Sequence, residues 1–401
     1  MRGNWVRLLS DFIFGFIKLA LVLLISKLYL LIKNKDIWLV CERPDESRDN
    51  GYHFFRHIKL HHPEVRIYYV ISPESADYAK TAQLGPVVHW GSFKHYLYWC
   101  LAKCVVSAHP GDCSPEPRLG WRLKGMGLIR HISANIKHGV IAINLPDYHT
   151  QTGSQQLNLV SCASPREMQF LEEVGGYRQE TLQLLGLCRF DALHETVDTR
   201  RQVLFMPTWR RWFRGLVEKH GRQEAMRMFR DSDYFQAYST FLNSKRLHAV
   251  LERTGYDLIF YPHHGVQEYL EAFGETHSRI TIADRHHYDV QQLLKESAVL
   301  ISDFSSVSFD FAYMGKPMVY LLPDEERYFS DHFQRGYFDF DHDGFGPVAR
   351  DPDAAVDALE AILIRGRSSE KHQQRVEAFF PLRDSANCER TFQAIQKIVD
   401  G

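Results

Sequence analysis

The 401-residue chain predicts an α/β protein of two doubly wound domains facing a cleft, preceded by an N-terminal hydrophobic membrane-binding helix. Three observations lead there. From Asp36 onward, short runs rich in Val, Ile and Tyr alternate with segments of helical spacing, the pattern of parallel sheets with crossover helices. That series restarts after about residue 199, beyond the polar stretch from His194 to Arg201. Residues 12–32, FIFGFIKLALVLLISKLYLLI, are apolar apart from Lys18 and Lys27. The expected divisions are therefore 1–35, a membrane-associating helix; 36–195, a first α/β domain; 196–384, a second; and 385–401, a last helix.

The amino-terminal segment is near the roughly 20 residues that span a bilayer. Arg2, Arg7, Lys18, Lys27, Lys33 and Lys35 stand against Asp11 alone in the first 35 positions, a balance that suits anionic lipid. No small-residue cleavage site follows it. It reads as an anchor in the bilayer, a helix lying in the interface, or a buried core helix; membrane attachment is the expectation, and spanning versus lying flat stays open. Formal net charge is −1, so no global field attracts nucleic acid. The seven cysteines are scattered and odd in number, which points to reduced thiols rather than a disulfide or zinc framework. Twenty-one histidines are present without an HExxH-like spacing, so no metal is expected.

Ile37–Cys41 is the first strand, Asp49-Asn50-Gly51 a turn signal, and 52–61 a helix. Strands follow at 65–72, 87–90 and 104–108, then a loop over 110–119 with three prolines and a glycine. Residues 140–144 read as a further strand, as do 158–163, after which Ser164 and Pro165 supply an N-cap and a first-turn proline. In the second half, strands are expected at 202–206, 257–261, 279–282, 298–302 and 318–322, with helices at 242–254 and on either side of the strand at 298–302.

Three of these strands end in polar residues: Thr208, Trp209 and Arg210; His263 and His264; Asp303, Ser305 and Ser306. Parallel strands point one way, so their ends converge on the edge where such sheets bind ligands. Arg210 and a histidine suit a diphosphate. Ser305 and Ser306, at the start of a helix, suit another phosphate oxygen and serve as readily as plain caps. In the first half, His138 before Gly139 has the titration range of a general base, although a solvated loop histidine is the commoner meaning of such a dipeptide. Neither GxGxxG nor a P-loop is present, which argues against ordinary dinucleotide binding and ATP hydrolysis.

In order, Asp49-Asn50-Gly51, His138-Gly139, LGLCRFDAL (185–193), FMPTWRRW (205–212), YPHH (261–264), LISDFSSVSFDFAYMGKPMVYL and PDEERY with RGYFDF (323–340) resemble the CDP-glycerol glycerophosphotransferase family of teichoic acid and capsule synthesis. The resemblance covers roughly 36–350. It implies a GT-B-like fold of two Rossmann-like domains with the nucleotide in the second. It implies transfer of glycerol phosphate, or a related polyol phosphate such as ribitol phosphate, from a CDP-activated donor to a hydroxyl of a lipid-linked saccharide or polyol-phosphate acceptor, releasing CMP. The CDP-polyol is a substrate and no separate cofactor is implied. Through the amino-terminal hydrophobic helix, the expected site of action is the cytoplasmic face of the cell membrane. His138 matches the family's base and His263 its second histidine. Thr208, Arg210, His263, Asp303, Ser305 and Ser306 form the expected donor side; Asp49, Asn50, Gly51 and Gly139 form the acceptor side. Arg189 and Asp191 match a PRxD-like segment whose proline is Cys188 here. Phe304 replaces a tyrosine, Tyr261 stands where a basic residue is usual, and residues 140–144 lack a lysine frequent in the family. The rival readings are a GT-B glycosyltransferase using a nucleotide sugar and a catalytically silent scaffold.

Overall fold

The computed structural model describes residues 18–19, 21–22, 25–26, 36–109, 111, 113–145 and 156–401. Most of the hydrophobic segment 12–32, the remainder of 1–35, and Pro110 and Asp112 of the expected loop lie outside the described residues. The chain forms two compact units, one of Met1–Gly139, Leu145–Ala192 and Asp384–Gly401, the other of Val140–Asn144 and Leu193–Arg383. The last helix, expected to stand apart, belongs to the first unit.

The first unit is built on a seven-stranded sheet. Its strands are β1 (Ile37–Cys41), β2 (Ile67–Ile71), β3 (Val87–His89), β4 (Ala102–Ser107), β5 (Ile132–Asn135), β6 (Leu159–Cys162) and β7 (Leu182–Leu184), in the order β3-β2-β1-β4-β5-β6-β7. Every pairing is parallel. β1 is buried throughout, as expected of a strand covered on both faces. Trp38 and Val40 face one core with Phe54, Phe55 and Ile58 of α1 (Asn50–His61). Ile37, Leu39 and Cys41 face the other, the period-two alternation of a pleated strand. α2 (Pro165–Glu173) opens as expected, with Ser164 Oγ accepting from the Glu167 N–H.

The second unit carries β8 (Arg200–Met206), β9 (Asp257–Phe260), β10 (Ile280–Ile282), β11 (Ser297–Ser302), β12 (Met318–Leu321) and β13 (Val348–Ala349), in the order β10-β9-β8-β11-β12-β13. Again every pairing is parallel. α3 (Asp233–Leu242) contributes Tyr234, Tyr238 and Phe241 to its core, and α5 (Pro352–Arg365), in sequence beyond α4 (Val307–Tyr313), contributes Val356 and Leu359. α6 (Asn387–Asp400) then returns the chain to the first unit, packing Cys388, Phe392 and Ile395 with Trp38 and Phe54.

Several expectations are corrected. Residues 140–144 form no strand; among them only Asn144 makes an isolated antiparallel bridge, to Gln334. The strand of that region is β5, whose Ser133 and Asn135 disguise it as polar although both are buried. The loop at 110–119 ends early, because Pro117 begins a helix reaching Gly125. The helix expected at 242–254 starts at Lys245, where Ser244 caps it. Reduced cysteines hold for five positions, but Cys41 and Cys113 form a disulfide. It ties the end of β1 to the segment after β4, two places 72 residues apart that spacing did not connect.

Of the amino-terminal segment, Lys18, Leu19, Leu21, Val22, Ile25 and Ser26 are helical. Leu19 and Val22 are buried in the second core of the first unit, while Leu21 and Ile25 are exposed. Among the described residues no helix is long and apolar enough to cross a membrane.

Candidate functional site

In the first sheet β1 and β4 are neighbours, and the chain crosses from β1 to β2 on one side and from β4 to β5 on the other. Ligands of open α/β sheets bind at the carboxyl ends of strands at such a switch point. There the segments after β1, β4 and β5 bring Asp49, His109 and His138 within reach of one another.

The Asp49 carboxylate joins two cations or donors. One oxygen pairs with Nδ1 of His138, and the other accepts from Arg189 Nη1 at 2.6 Å. Arg189 also donates to the His138 carbonyl. With Nδ1–H given to a carboxylate, the neutral imidazole carries its basic lone pair on Nε2. The His138 side chain is 54% exposed, so that nitrogen can meet a substrate. Burial pushes the Asp49 carboxyl up, but the charges of His138 and Arg189 and the histidine's hydrogen bond outweigh it and hold the group well below the usual carboxylate range. Burial acts the other way on His109, whose ring stacks on His138 at 4.7 Å; with the His138 charge it drives the His109 pKa well below the ordinary value.

The supports are local and specific. Asn50 donates from Nδ2 to the Lys137 carbonyl at 2.8 Å and accepts the Arg189 N–H at 2.9 Å, joining three segments. Glu42, just past β1, accepts the N–H groups of Arg48, Asp49 and Tyr52 at 2.9, 2.9 and 2.6 Å. Burial, with the nearby Asp49 charge, raises its pKa to about 8. Two neighbouring carboxyls are thus driven apart, one ionised and one retaining its proton at neutral pH. Gly51 permits this approach: a Cβ there would lie 2.9 Å from Glu42 Cγ and 3.0 Å from the Cys41 carbonyl oxygen. Lys137 sits in the left-handed region, φ 53°, and its buried ammonium pairs with Glu167 of α2. That pair anchors the turn presenting His138, and Gly139 behind it is buried.

In the second sheet the corresponding switch point lies between β8 and β11. Thr208 to Arg210 follow β8, His263 and His264 follow β9, and Asp303 to Ser306 follow β11, so the three polar strand ends lie along one edge as expected. Their chemistry divides. Arg210 is fully buried. Its Nε and Nη2 donate to the two oxygens of Asp324 at 2.7 and 2.8 Å, and Nη1 to the carbonyls of Thr208 and Trp209 and toward Asp303 at 2.9 Å. Tyr234, Phe304 and Tyr328 surround the guanidinium, their ring centroids 5.1, 5.4 and 4.9 Å away. Arg210 and Asp303, expected on the donor side, are both buried and paired with groups of the protein. Asp303 accepts the Thr208 N–H at 2.8 Å and the Tyr238 hydroxyl at 3.1 Å, so the pair shapes the turns instead.

Thr208, His263, Ser305 and Ser306 remain partly exposed. His263 Nδ1 accepts the Gly265 N–H at 3.1 Å, which leaves Nε2 as the protonated donor of the neutral ring. Its backbone N–H reaches the Pro207 carbonyl at 3.0 Å, tying the β9 end to the β8 end. Ser306 occupies the N-cap of α4 without a side-chain cap bond, so the simple capping role does not consume its hydroxyl. His332, not singled out in the sequence, is buried beside Trp209, accepts the Arg211 N–H at 2.7 Å, and is pushed to about 3 by burial and the charges of Arg210 and Arg211. Arg189 belonged to a recognised segment, but its pairing with Asp49 spans 140 residues and no spacing signals it.

A family model described as CDP-Glycerol:Poly(glycerophosphate) glycerophosphotransferase matches residues 22–397. Among curated proteins, the Bacillus subtilis (strain 168) minor teichoic acid biosynthesis protein GgaB is 28% identical over 386 residues, covering 95% of this chain and 42% of GgaB. The chain thus spans less than half the length of that relative. The Staphylococcus aureus (strain NCTC 8325 / PS 47) teichoic acid ribitol-phosphate polymerase TarK is 26% identical over 215 residues, 49% of this chain and 38% of TarK. Among solved structures, the wall teichoic acid polymerase TagF superposes with a TM-score of 0.68 at 14% identity, covering 100% of this chain and 99% of that one. A UDP-GlcNAc 2-epimerase from Neisseria meningitidis gives 0.53 at 9% identity, covering 91% and 100%. At these identities the structural likenesses are likenesses of fold.

Proposed function

The chain belongs to the CDP-glycerol:poly(glycerophosphate) glycerophosphotransferase family, and from that premise we propose that it transfers glycerol phosphate, or a related polyol phosphate, from a CDP-activated donor to a hydroxyl of a membrane-linked acceptor. The observation that carries this reading is the His138–Asp49–Arg189 group, a histidine oriented through Nδ1 by an ionised carboxylate on a side chain that is 54% exposed. Such an arrangement makes a general base whose charged form is stabilised as it forms.

In this reading the acceptor hydroxyl gives its proton to His138 Nε2 as its oxygen bonds to the donor's β-phosphorus. The bond from that phosphorus to the bridging oxygen breaks, and CMP leaves with that oxygen. Charge spreads over the equatorial phosphoryl oxygens, so fixed donors contribute most. The Ser305 and Ser306 hydroxyls, the His263 Nε2–H and Thr208 are the donors we assign to the diphosphate. The first unit is then the acceptor side and the second the donor side, as in GT-B-like transferases. The acceptor is a lipid-linked saccharide or polyol phosphate, and the protein acts at the cytoplasmic face of the cell membrane. The amino-terminal basic residues and relatives named for teichoic acid synthesis support that location. The CDP-polyol is the only small molecule the reading requires.

A donor screen tests it. CDP-glycerol, CDP-ribitol and UDP-sugars are offered with a polyol-phosphate acceptor, and released nucleotide is identified. Acceptor-dependent CMP is expected; UDP from a UDP-sugar, without CMP, would establish the nucleotide-sugar alternative instead.

A further inference from the structure

We propose that His57, His62 and Glu389 form a binding site for a late first-row divalent cation, with zinc as the best match. His57 and His62 lie at the carboxyl end of α1, and Glu389 lies in the first turn of α6. Nε2 of His57 and Nε2 of His62 approach the same Glu389 oxygen at 2.9 and 2.8 Å. The three ligand atoms all fall within 4.8 Å of one another. Two imidazoles and a carboxylate are a ligand set that zinc accepts with a further position open.

The surroundings orient these groups for a cation. The other Glu389 oxygen accepts Gln393 Nε2 at 2.6 Å, which leaves the shared oxygen for the centre. His62 Nδ1 stands 3.7 Å from Glu64. When Nε2 binds a metal the ring proton moves to Nδ1, and a carboxylate facing that nitrogen is the usual outer partner of a metal-bound histidine. Phe392 lies 3.8 Å from the His62 ring, centroid to centroid, and limits its rotation. His57 and His62 are separated from Glu389 by 332 and 327 residues, so no ligand motif is visible in the sequence.

Bound metal would clamp α6 to α1. Asp49 and Asn50 stand at the opposite end of α1, about 10 Å before His57 and up to about 20 Å before His62 at 1.5 Å per residue. The clamp therefore holds the helix that presents the His138 partner without touching that group.

Zinc titration of the chelator-stripped full chain, by calorimetry, tests the proposal. The wild type is expected to bind one equivalent at this site. Glu389→Gln and His62→Ala, each checked for folding by circular dichroism, are expected to weaken it at least about tenfold. Because Asp49, His109 and His138 also converge, His138→Ala serves as the control and should retain the equivalent. The wild-type thermal midpoint should rise with zinc, and that of Glu389→Gln should rise less. Absence of stoichiometric binding by the wild type would overturn the proposal without recourse to any variant. So would an equivalent that survives Glu389→Gln and His62→Ala unchanged, or one that disappears with His138→Ala.

Discussion

Asp49 is the residue on which the candidate base depends. Replacing it with Asn keeps the shape but removes the charge that orients and stabilises the His138 imidazolium. Asp49→Asn is expected to lower the transfer rate about 10²- to 10⁴-fold with donor affinity retained, read as CMP release at saturating CDP-glycerol. Glu42 makes a second, opposite prediction. Its folded pKa, raised from 4.5 to about 8, lies above its unfolded value. Its stabilising contribution is therefore complete below about pH 4.5 and is lost as pH rises toward 8. Urea midpoints measured across that window should decline more steeply in the wild type than in Glu42→Gln, which mimics the protonated carboxyl. Arg210 illustrates what residue type alone conceals. An arginine after a strand in this edge suggested a phosphate ligand, yet its partners Asp303 and Asp324 come from two later turns, and burial is not readable from PTWR. Arg210→Met leaves two buried carboxylates without their cation and should cost about 3–5 kcal/mol in urea unfolding.

At the scale of elements, the strand-and-turn pattern was legible wherever apolar runs were long and ended in polar turns, as at β8, β9 and β11. It failed where local composition and burial disagree. β5, with Ser133 and Asn135 buried in the sheet, looked polar, and the apolar run 140–144 looked like a strand but joins no ladder among the described residues. The start of α4 shows the same division: the turn was correctly located, but Ser306 makes no cap bond. The double substitution Ser305→Ala and Ser306→Ala is accordingly expected to leave unfolding nearly unchanged and to weaken CDP-glycerol binding about tenfold or more, the loss of hydrogen bonds to a charged group. Donor titration against the urea curve separates those effects. α6 is the converse case, a helix end held by a side chain. Asp191 accepts the Asn387 N–H at 2.8 Å, Asn387 Nδ2 at 2.7 Å and the Cys388 N–H at 2.8 Å. Asp191→Ala should therefore cost about 1–2 kcal/mol, as loss of an N-terminal cap does.

For the whole molecule, two parallel sheets with the same doubly wound order place polar residues at a switch point in each unit. That arrangement was legible because it follows from alternation and strand direction. The return of α6 to the first unit, the Cys41–Cys113 bridge and the Asp49–Arg189 pair were not, since each joins segments that no periodicity relates. The proposed mechanism makes His138, oriented by Asp49, the base for transfer from a CDP-polyol. The most direct test is acceptor-dependent CMP release from saturating CDP-glycerol by the wild type and His138→Ala, with donor affinity measured in parallel. A loss of about 10²- to 10⁴-fold in rate with donor affinity essentially unchanged is expected; near-wild-type turnover by His138→Ala would rule out His138 as the base.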